Sequence, residues 1–335
     1  MTEHIYVLAE HENGKLRRVT LELIGKAREL ADAADEKVCA VLLGSGVEEL
    51  AAPMIAAGAD TVYMADHPLL QYYTTEGYTK VIADLLTKLE PAAVLIGATN
   101  NGRDLAPRLS ARLGSGVTAD CTQLAMDPET RLMTWTRPAL GGNILAEIIC
   151  PDHAPQMGTV RPNVFALPTP NPDRTGNIER VDVTLTEADI RTKRIGFEAV
   201  EGEEIGLEDA EIIVGGGRGM GSKEAFVRLH ELARLLGGTV AASRAAVEAG
   251  WEPMVHQVGQ TGKNVGPKIY LAFGISGAIQ HLAGIGGSDT VVAVNHDPEA
   301  PIFKIADYGI VGDVHEVLAA LIDSIKAERG ESGAN

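Results

Sequence analysis

Short apolar runs alternate with longer stretches whose apolar positions recur at helical spacing. IYVLAE (5–10), KVCAVLLG (37–44), ADTVYMAD (59–66) and AAVLIGAT (92–99) read as buried strands. Between and after them, KLRRVTLELIGKARELADAA, VEELAAPMIAAG, KVIADLLTKL and GRDLAPRLSARLG carry the period of amphipathic helices. Strands separated by helices of this length predict a parallel sheet with right-handed crossovers. From about 117 to 165 the runs turn β-rich, as in RLMTWTRPA and NILAEIIC, and predict antiparallel strands appended to that sheet. ALPTPNPDRTGNIER (166–180) has the Pro, Asn and Thr content of a surface segment, and RVDVTLTEADI adds one more strand.

The acidic, glycine-spaced EAVEGEEIGLEDA (198–210) marks a linker, after which the alternation restarts. AEIIVGGG ends a strand in glycines, SKEAFVRLHELARLLG follows as a helix, and GTVAASRAAV, KIYLAFGIS, DTVVAVNHD and YGIVGD supply later strand ends. Each strand end runs into small, polar or glycine residues, and in a doubly wound sheet such ends line the ligand crevice. The expected fold is therefore α/β in two domains. An N-terminal parallel-sheet scaffold with a β extension (1–197) precedes the linker (198–210) and a doubly wound C-terminal domain (211–330).

Composition narrows the functional classes. The chain has 335 residues and a formal net charge of −17, which argues against a nucleic-acid partner. Aromatic residues make up 4%, so the cores must be built from Ala, Val, Leu and Ile. The three cysteines, Cys39, Cys121 and Cys150, show no C-x-x-C spacing and read as reduced thiols. An N-terminus without a long apolar stretch predicts no signal peptide, no run predicts a membrane span, and a cytoplasmic location follows as the expectation.

Candidate chemistry gathers in the second half. VGGGRGMGSKEAF (214–226) lies between a strand and a helix, where glycines let backbone N–H groups approach a phosphate. Its nearest dinucleotide frame, Gly217-x-Gly219-x-x-Ser222, ends in serine, and Arg218 adds a cation; an unliganded strand–helix turn would look similar. The next strand ends in Ser243 and Arg244, where NAD sites carry an acid. Arg244 suits NADP, another part of a different ligand, or simply a helix's first turn. In QVGQTGKNVGPKIY (257–270), Gln260 and Thr261 can bond hydroxyls and heterocycle edges. Lys263 is followed by Asn264, which rules out a P-loop. In GISGAIQHLAG (274–284) a helix is expected with Ser276 near its N-cap, and with Ser276 and Gln280 on one face. His281 is either a satisfied core histidine or a functional one, and no second ligand stands at metal spacing beside it.

GGRGMGSKEAF, VAASRAAVEAGW, VGQTGKNVGPKIYLAFGISGAIQHLAG and VVAVNHDPEAPIFKIADYGIVGD, in that order over 215–313, closely resemble the electron-transfer flavoprotein α subunit. GATNNGRDLAPRLSARL and TVRP extend the likeness into the first half. The resemblance implies an FAD carrier without a substrate of its own, paired with a homologous β subunit, its N-terminal half an interface scaffold. By motif position, Arg218 and the glycine-rich turn would face the pyrophosphate, and Asn295 and Asp313 the adenosine portion. Arg244, Thr261, Ser276 and His281 would tune the flavin, with Ser243 and Gln280 beside them. Val258, Gly259, Gln260, Gly274, Gly277, Ala278 and Ile279 would complete the cofactor contacts. In this reading His281 favours the anionic one-electron-reduced ring and is no general base, and no residue is catalytic in the ordinary sense. The β subunit would hold AMP in housekeeping members, which take electrons from acyl-CoA dehydrogenases to a quinone reductase. It would hold a second FAD in bifurcating members, which use NADH to reduce two acceptors, one of low potential. RPALGGN (137–143) and CPDHAPQMGTVRP (150–162) resemble the bifurcating or anaerobic branch. From other classes, an NADP-dependent dehydrogenase with two α/β domains fits the Gly217 frame and Arg244, and a non-redox adenine-nucleotide module stands third.

Overall fold

The computed structural model describes residues 3–139, 144–196, 206–208 and 210–329. Tertiary contacts divide the chain into two compact units, Met1–Phe197 and Glu198–Asn335. Most of the linker expected at 198–210, and the end of RPALGGN at 140–143, lie outside the described residues.

In the first unit β1 (Glu3–Leu8) is followed by a small hairpin, β2 (His11–Glu12) and β3 (Lys15–Leu16), and by α1 (Arg18–Ala34). Then come β4 (Val38–Gly44), α2 (Ala51–Ala57), β5 (Thr61–Asp66), α3 (Thr75–Leu89), β6 (Pro91–Gly97) and α4 (Asn100–Leu113). The rest of the unit is β7 (Val117–Cys121), β8 (Gln123–Met126), β9 (Met133–Ala139), β10 (Ile144–Ile148), β11 (Gln156–Val160) and β12 (Asn177–Arg180). Seven of these strands form a parallel sheet in the order β12-β5-β4-β1-β6-β11-β7. β4 and β6 are buried at every position, as strands covered on both faces must be. Aliphatic clusters fill the two faces, one around Leu23, Ile24, Leu42 and Met54, the other around Leu70, Ile82, Val94 and Leu109.

Two expectations need correcting here. Instead of extending the main sheet antiparallel, the β-rich segment splits. β8, β9 and β10 form a separate antiparallel sheet, while β7 and β11 join the main sheet in parallel. The reason lies in β11: QMGTV is buried throughout, a central-strand signature, and a side chain at Gly158 would collide with the Trp135 ring of β9. The late strand falls on NIER rather than VDVTL. β12 pairs with β5 because Asn177 N–H donates to the Asp60 carbonyl (2.9 Å) and Arg174 pairs with the Asp60 carboxylate (2.6 Å).

The second unit contains β13 (Ile212–Gly216), α5 (Lys223–Leu236), β14 (Thr239–Ala242), α6 (Arg244–Glu248), β15 (Ile269–Phe273), α7 (Ile279–Ile285), β16 (Thr290–Asn295), β17 (Tyr308–Val311) and α8 (Val314–Glu328). Its strands lie parallel in the order β14-β13-β15-β16-β17, so the chain reverses its direction of winding after β14 and the switch point falls between β13 and β15. Phe226, Leu229, Phe273 and Leu318 pack one face, and Tyr270, Ile285 and Ile302 the other. Ser222 caps α5 by accepting from Ala225 N–H, and Gly237 ends it in a left-handed turn. At the reversal, the carboxyl ends of β13 and β15 part, and a ligand crevice opens there in sheets of this kind.

Candidate functional site

A cleft of about 730 Å³ opens at those strand ends. Its volume is that of a cofactor site. Its floor depends on close backbone contact. Gly274 sits at φ +61, and a Cβ there would come within 2.8 Å of Gly219. A Cβ on Gly217 would lie 2.1 Å from the Gly274 carbonyl oxygen. The turn after β13 therefore rests directly on the turn after β15, with Gly219 N–H donating to Gly274 O at 3.0 Å. Arg218 projects from this turn into the cleft, exposed.

One wall is the segment after α6. Gln257 Nε2 donates to Thr261 Oγ1 (3.0 Å), Gly259 N–H to the Lys263 carbonyl (3.1 Å), and Gln260 N–H to the Gln280 carbonyl (2.7 Å), which ties the loop to α7. Opposite, Asn295 is buried; its amide donates to the Ile275 carbonyl at 3.0 Å and accepts from Asp297 N–H at 3.1 Å. Its side chain thus shapes the wall. Arg244 pairs with Glu248 at 2.8 Å on the exposed rim, where Coulomb attraction is weak.

His281 lies at the back, buried on α7. Its Nε2 is 3.1 Å from the hydroxyl of the fully buried Tyr270 on β15, and its Nδ1 is buried without a partner. Burial, opposed by the Val258 backbone, pushes the imidazole pKa down to about 4, so the ring is neutral at physiological pH. Burial likewise pushes the Tyr270 hydroxyl up, and it stays protonated. Ser243 Oγ is a second buried atom of the cleft lining without a partner. Native proteins satisfy nearly all such groups, so orphaned ones at a cleft mark where a ligand bonds. A polar dinucleotide with a heteroaromatic ring suits this lining: two orphaned hydrogen-bonding groups, arginines at the mouth, and glycines that admit a flat ring to the backbone.

The cleft lining brings together Arg218, Ser243, Arg244, Val258, Gly259, Gln260, Thr261, Gly274, Ser276, Ala278, Gln280, His281 and Asn295. Three expected residues stand apart from it. Gly277 lies under the Pro301–Ile302 backbone, and Ile279 is exposed outside the lining. Asp313 caps α8, accepting from His315 and Glu316 N–H. The helix also starts later than expected: α7 begins at Ile279 with Ala278 at its N-cap, and Ser276 precedes it, so Ser276 and Gln280 share no helical face. The Ser276 carbonyl instead accepts from Ile302 N–H at 3.1 Å, and that tertiary bond holds the chain extended through the turn. Sequence reasoning missed Gln257, His296, Asp297 and Pro301 in the lining, and Tyr270 behind it. All five sit within motifs already singled out, and Tyr270, one polar tip in an otherwise apolar strand, reads there as one more strand residue.

The first unit holds a smaller cavity, about 80 Å³, beside Glu10, His11, Tyr73, Tyr78 and Asn101. It is too small for a nucleotide.

A doubly wound sheet with this cleft at its reversal point defines a dinucleotide-binding module. Residues 5–186 match the Electron transfer flavoprotein domain, and residues 206–286 the Electron transfer flavoprotein FAD-binding domain. The chain is 55% identical over 328 residues to the electron transfer flavoprotein subunit alpha of Megasphaera elsdenii, covering 97% of each chain. It is 43% identical over 350 residues to the acryloyl-CoA reductase electron transfer subunit beta of Anaerotignum propionicum, covering 96% of this chain and 95% of that one. It is 42% identical over 323 residues to the lactate dehydrogenase (NAD(+),ferredoxin) subunit LctC of Acetobacterium woodii, covering 96% of this chain and 77% of that one. The chain belongs to the electron transfer flavoprotein family, on the α-subunit side, and its second unit is the family's FAD-binding domain. An NADP-dependent dehydrogenase finds no support in these matches. Among the described residues, no helix is long and apolar enough to cross a membrane.

Proposed function

We propose that this chain is the FAD-holding subunit of a heterodimer with a β subunit, and that it passes electrons from flavoenzymes of the acyl-CoA dehydrogenase type, or from NADH, to a second acceptor. The observation that carries the placement of FAD is the pair of orphaned groups, Ser243 Oγ and His281 Nδ1, in a glycine-floored cleft of dinucleotide size. When bound, FAD supplies one- and two-electron redox chemistry. The chain's residues bind and bias it. Arg218 and the turn at Gly217–Gly219 take the pyrophosphate, and Asn295 fixes the wall beside the adenosine portion. Asp313, which caps α8 outside the lining, keeps its expected place beside the adenosine portion as part of this proposal. Gln260, Thr261, Ser276 and Gln280 bond the ring's polar edge, and Arg244 adds positive charge at the rim. The neutral imidazole of His281 donates a hydrogen bond from Nδ1, its tautomer set by the Tyr270 hydroxyl at Nε2. A hydrogen bond aimed at developing negative charge in a water-poor site raises the reduction potential.

The relatives named for acryloyl-CoA reductase and for NAD(+),ferredoxin-linked lactate dehydrogenase favour the bifurcating branch, in which the β subunit holds a second FAD in place of AMP. The test is to purify the complex with its β subunit, release the cofactors with acid, and count FAD and AMP. Two FAD and no AMP is the expected result. One FAD with one AMP makes the complex a housekeeping carrier feeding a quinone reductase. A folded complex without FAD refutes the reading of the cleft.

A further inference from the structure

Away from the cleft, three side chains converge that the flavin chemistry does not use. His230 projects from α5, while Glu252 and His256 come from the segment after α6. His230 Nε2 is 2.8 Å from one carboxylate oxygen of Glu252, and His256 Nδ1 is 2.5 Å from the other. All three ligand atoms lie within 4.8 Å of one another. We infer that His230, Glu252 and His256 form a binding site for a divalent transition cation of the zinc type, with a fourth position open to water.

The donor set is the first argument. Two imidazoles and one carboxylate are ligands that Zn²⁺ takes in three-residue sites. Bonds of about 2.0–2.1 Å set tetrahedral ligand atoms about 3.3 Å apart, so an ion entering here spreads the present contacts of 2.8 and 2.5 Å by about 0.5–0.8 Å. Each imidazole then carries its proton on the nitrogen turned away from the ion. Charge is the second argument. Glu252 is the carboxylate that would oppose the cation's charge, and each of its oxygens already faces one imidazole nitrogen.

Access and rigidity complete the case. The Glu252 and His256 side chains are 6% and 12% exposed, so both are held by packing, whereas His230 at 48% leaves one side of the site open to solvent. The scaffold is fixed on both sides. Trp251, next to Glu252, packs on Phe226, one turn before His230 on α5, with ring centroids 6.0 Å apart. Trp251 N–H also donates to the Ala246 carbonyl at 3.1 Å. A cation here staples α5 to the segment that continues into Gln257, the first residue of the cleft wall, so ion binding steadies the flavin loop from behind.

The test uses the full chain with its β subunit, stripped with a chelator and re-equilibrated with Zn²⁺, the metal per chain being counted by mass spectrometry. About one Zn²⁺ per wild-type chain is expected, with affinity roughly a hundredfold weaker in His230→Ala, whose exposed position spares the fold. Glu252→Gln serves as the second variant, and Co²⁺ in place of Zn²⁺ should give the visible absorption of a tetrahedral site in the wild type alone. Wild-type protein that takes up no more Zn²⁺ than His230→Ala overturns the inference. The metal count is independent of FAD content, so the two readings fail separately.

Discussion

His281 should make the second unit acid-sensitive in a way that one substitution removes. The folded imidazole is held to a pKa of about 4, against 6.5 for the free side chain, because burial disfavours its charged form. The unfolded chain therefore takes up a proton at a higher pH than the folded one. Stability is fully present above 6.5 and is lost as pH falls towards the folded value. A tenfold difference in proton affinity is worth about 1.4 kcal/mol, so between pH ~7 and ~4.5 this one group should remove about 2 kcal/mol. Urea titrations of the FAD-free chain at those two values, wild type beside His281→Gln, measure the effect. Glutamine keeps a polar side chain that does not titrate, so other acid-sensitive groups cancel in the comparison. Wild type should lose about 2 kcal/mol more than the variant across the interval. Parallel losses would refute the view that a buried neutral imidazole stands behind the cleft.

Other substitutions separate binding from folding. Ser243→Ala removes a buried hydroxyl without a partner, so urea stability of the FAD-free chain should not fall, while FAD affinity, followed by flavin fluorescence, should drop by about five- to tenfold. Gly274→Ala puts a Cβ against Gly219 in a left-handed conformation; thermal unfolding should show a loss of about 1–3 kcal/mol together with weaker FAD retention. Trp135→Ala empties a fully buried site in the first unit and should cost about 3–5 kcal/mol in denaturant titrations, with the flavin spectrum unchanged. An altered flavin spectrum in that variant would contradict the assignment of FAD contacts to the second unit.

The alternation of strand and helix, and the strand ends that line the cleft, could be read from period and punctuation because each depends on a local stretch of chain. What escaped sequence reasoning depended on distant partners. β11 is a central parallel strand because Trp135 packs over Gly158, and β12 is an edge strand because Asp60 holds Arg174 and Asn177 beside β5. α7 starts at Ile279 because Ser276 is bonded to Ile302, which no capping preference could signal. The same limit hid the His230, Glu252 and His256 cluster. Glu252 and His256 stand at helical ligand spacing, four apart, but His230 is 22 positions before Glu252 on another element. His281 could be singled out by its isolation among small residues, whereas its partner Tyr270 looked like one more strand residue until the register of β15 turned it inward.

The central claim is that FAD lies in the cleft of the second unit with its ring against His281. A high-resolution structure of the FAD-loaded heterodimer tests it most directly. The account predicts the ring's polar edge within hydrogen-bonding distance of His281 Nδ1 and the Gln260–Thr261 loop, with the pyrophosphate beside Arg218 and Gly219. A flavin seated at the strand ends of the first unit, with this cleft left to solvent, would contradict it.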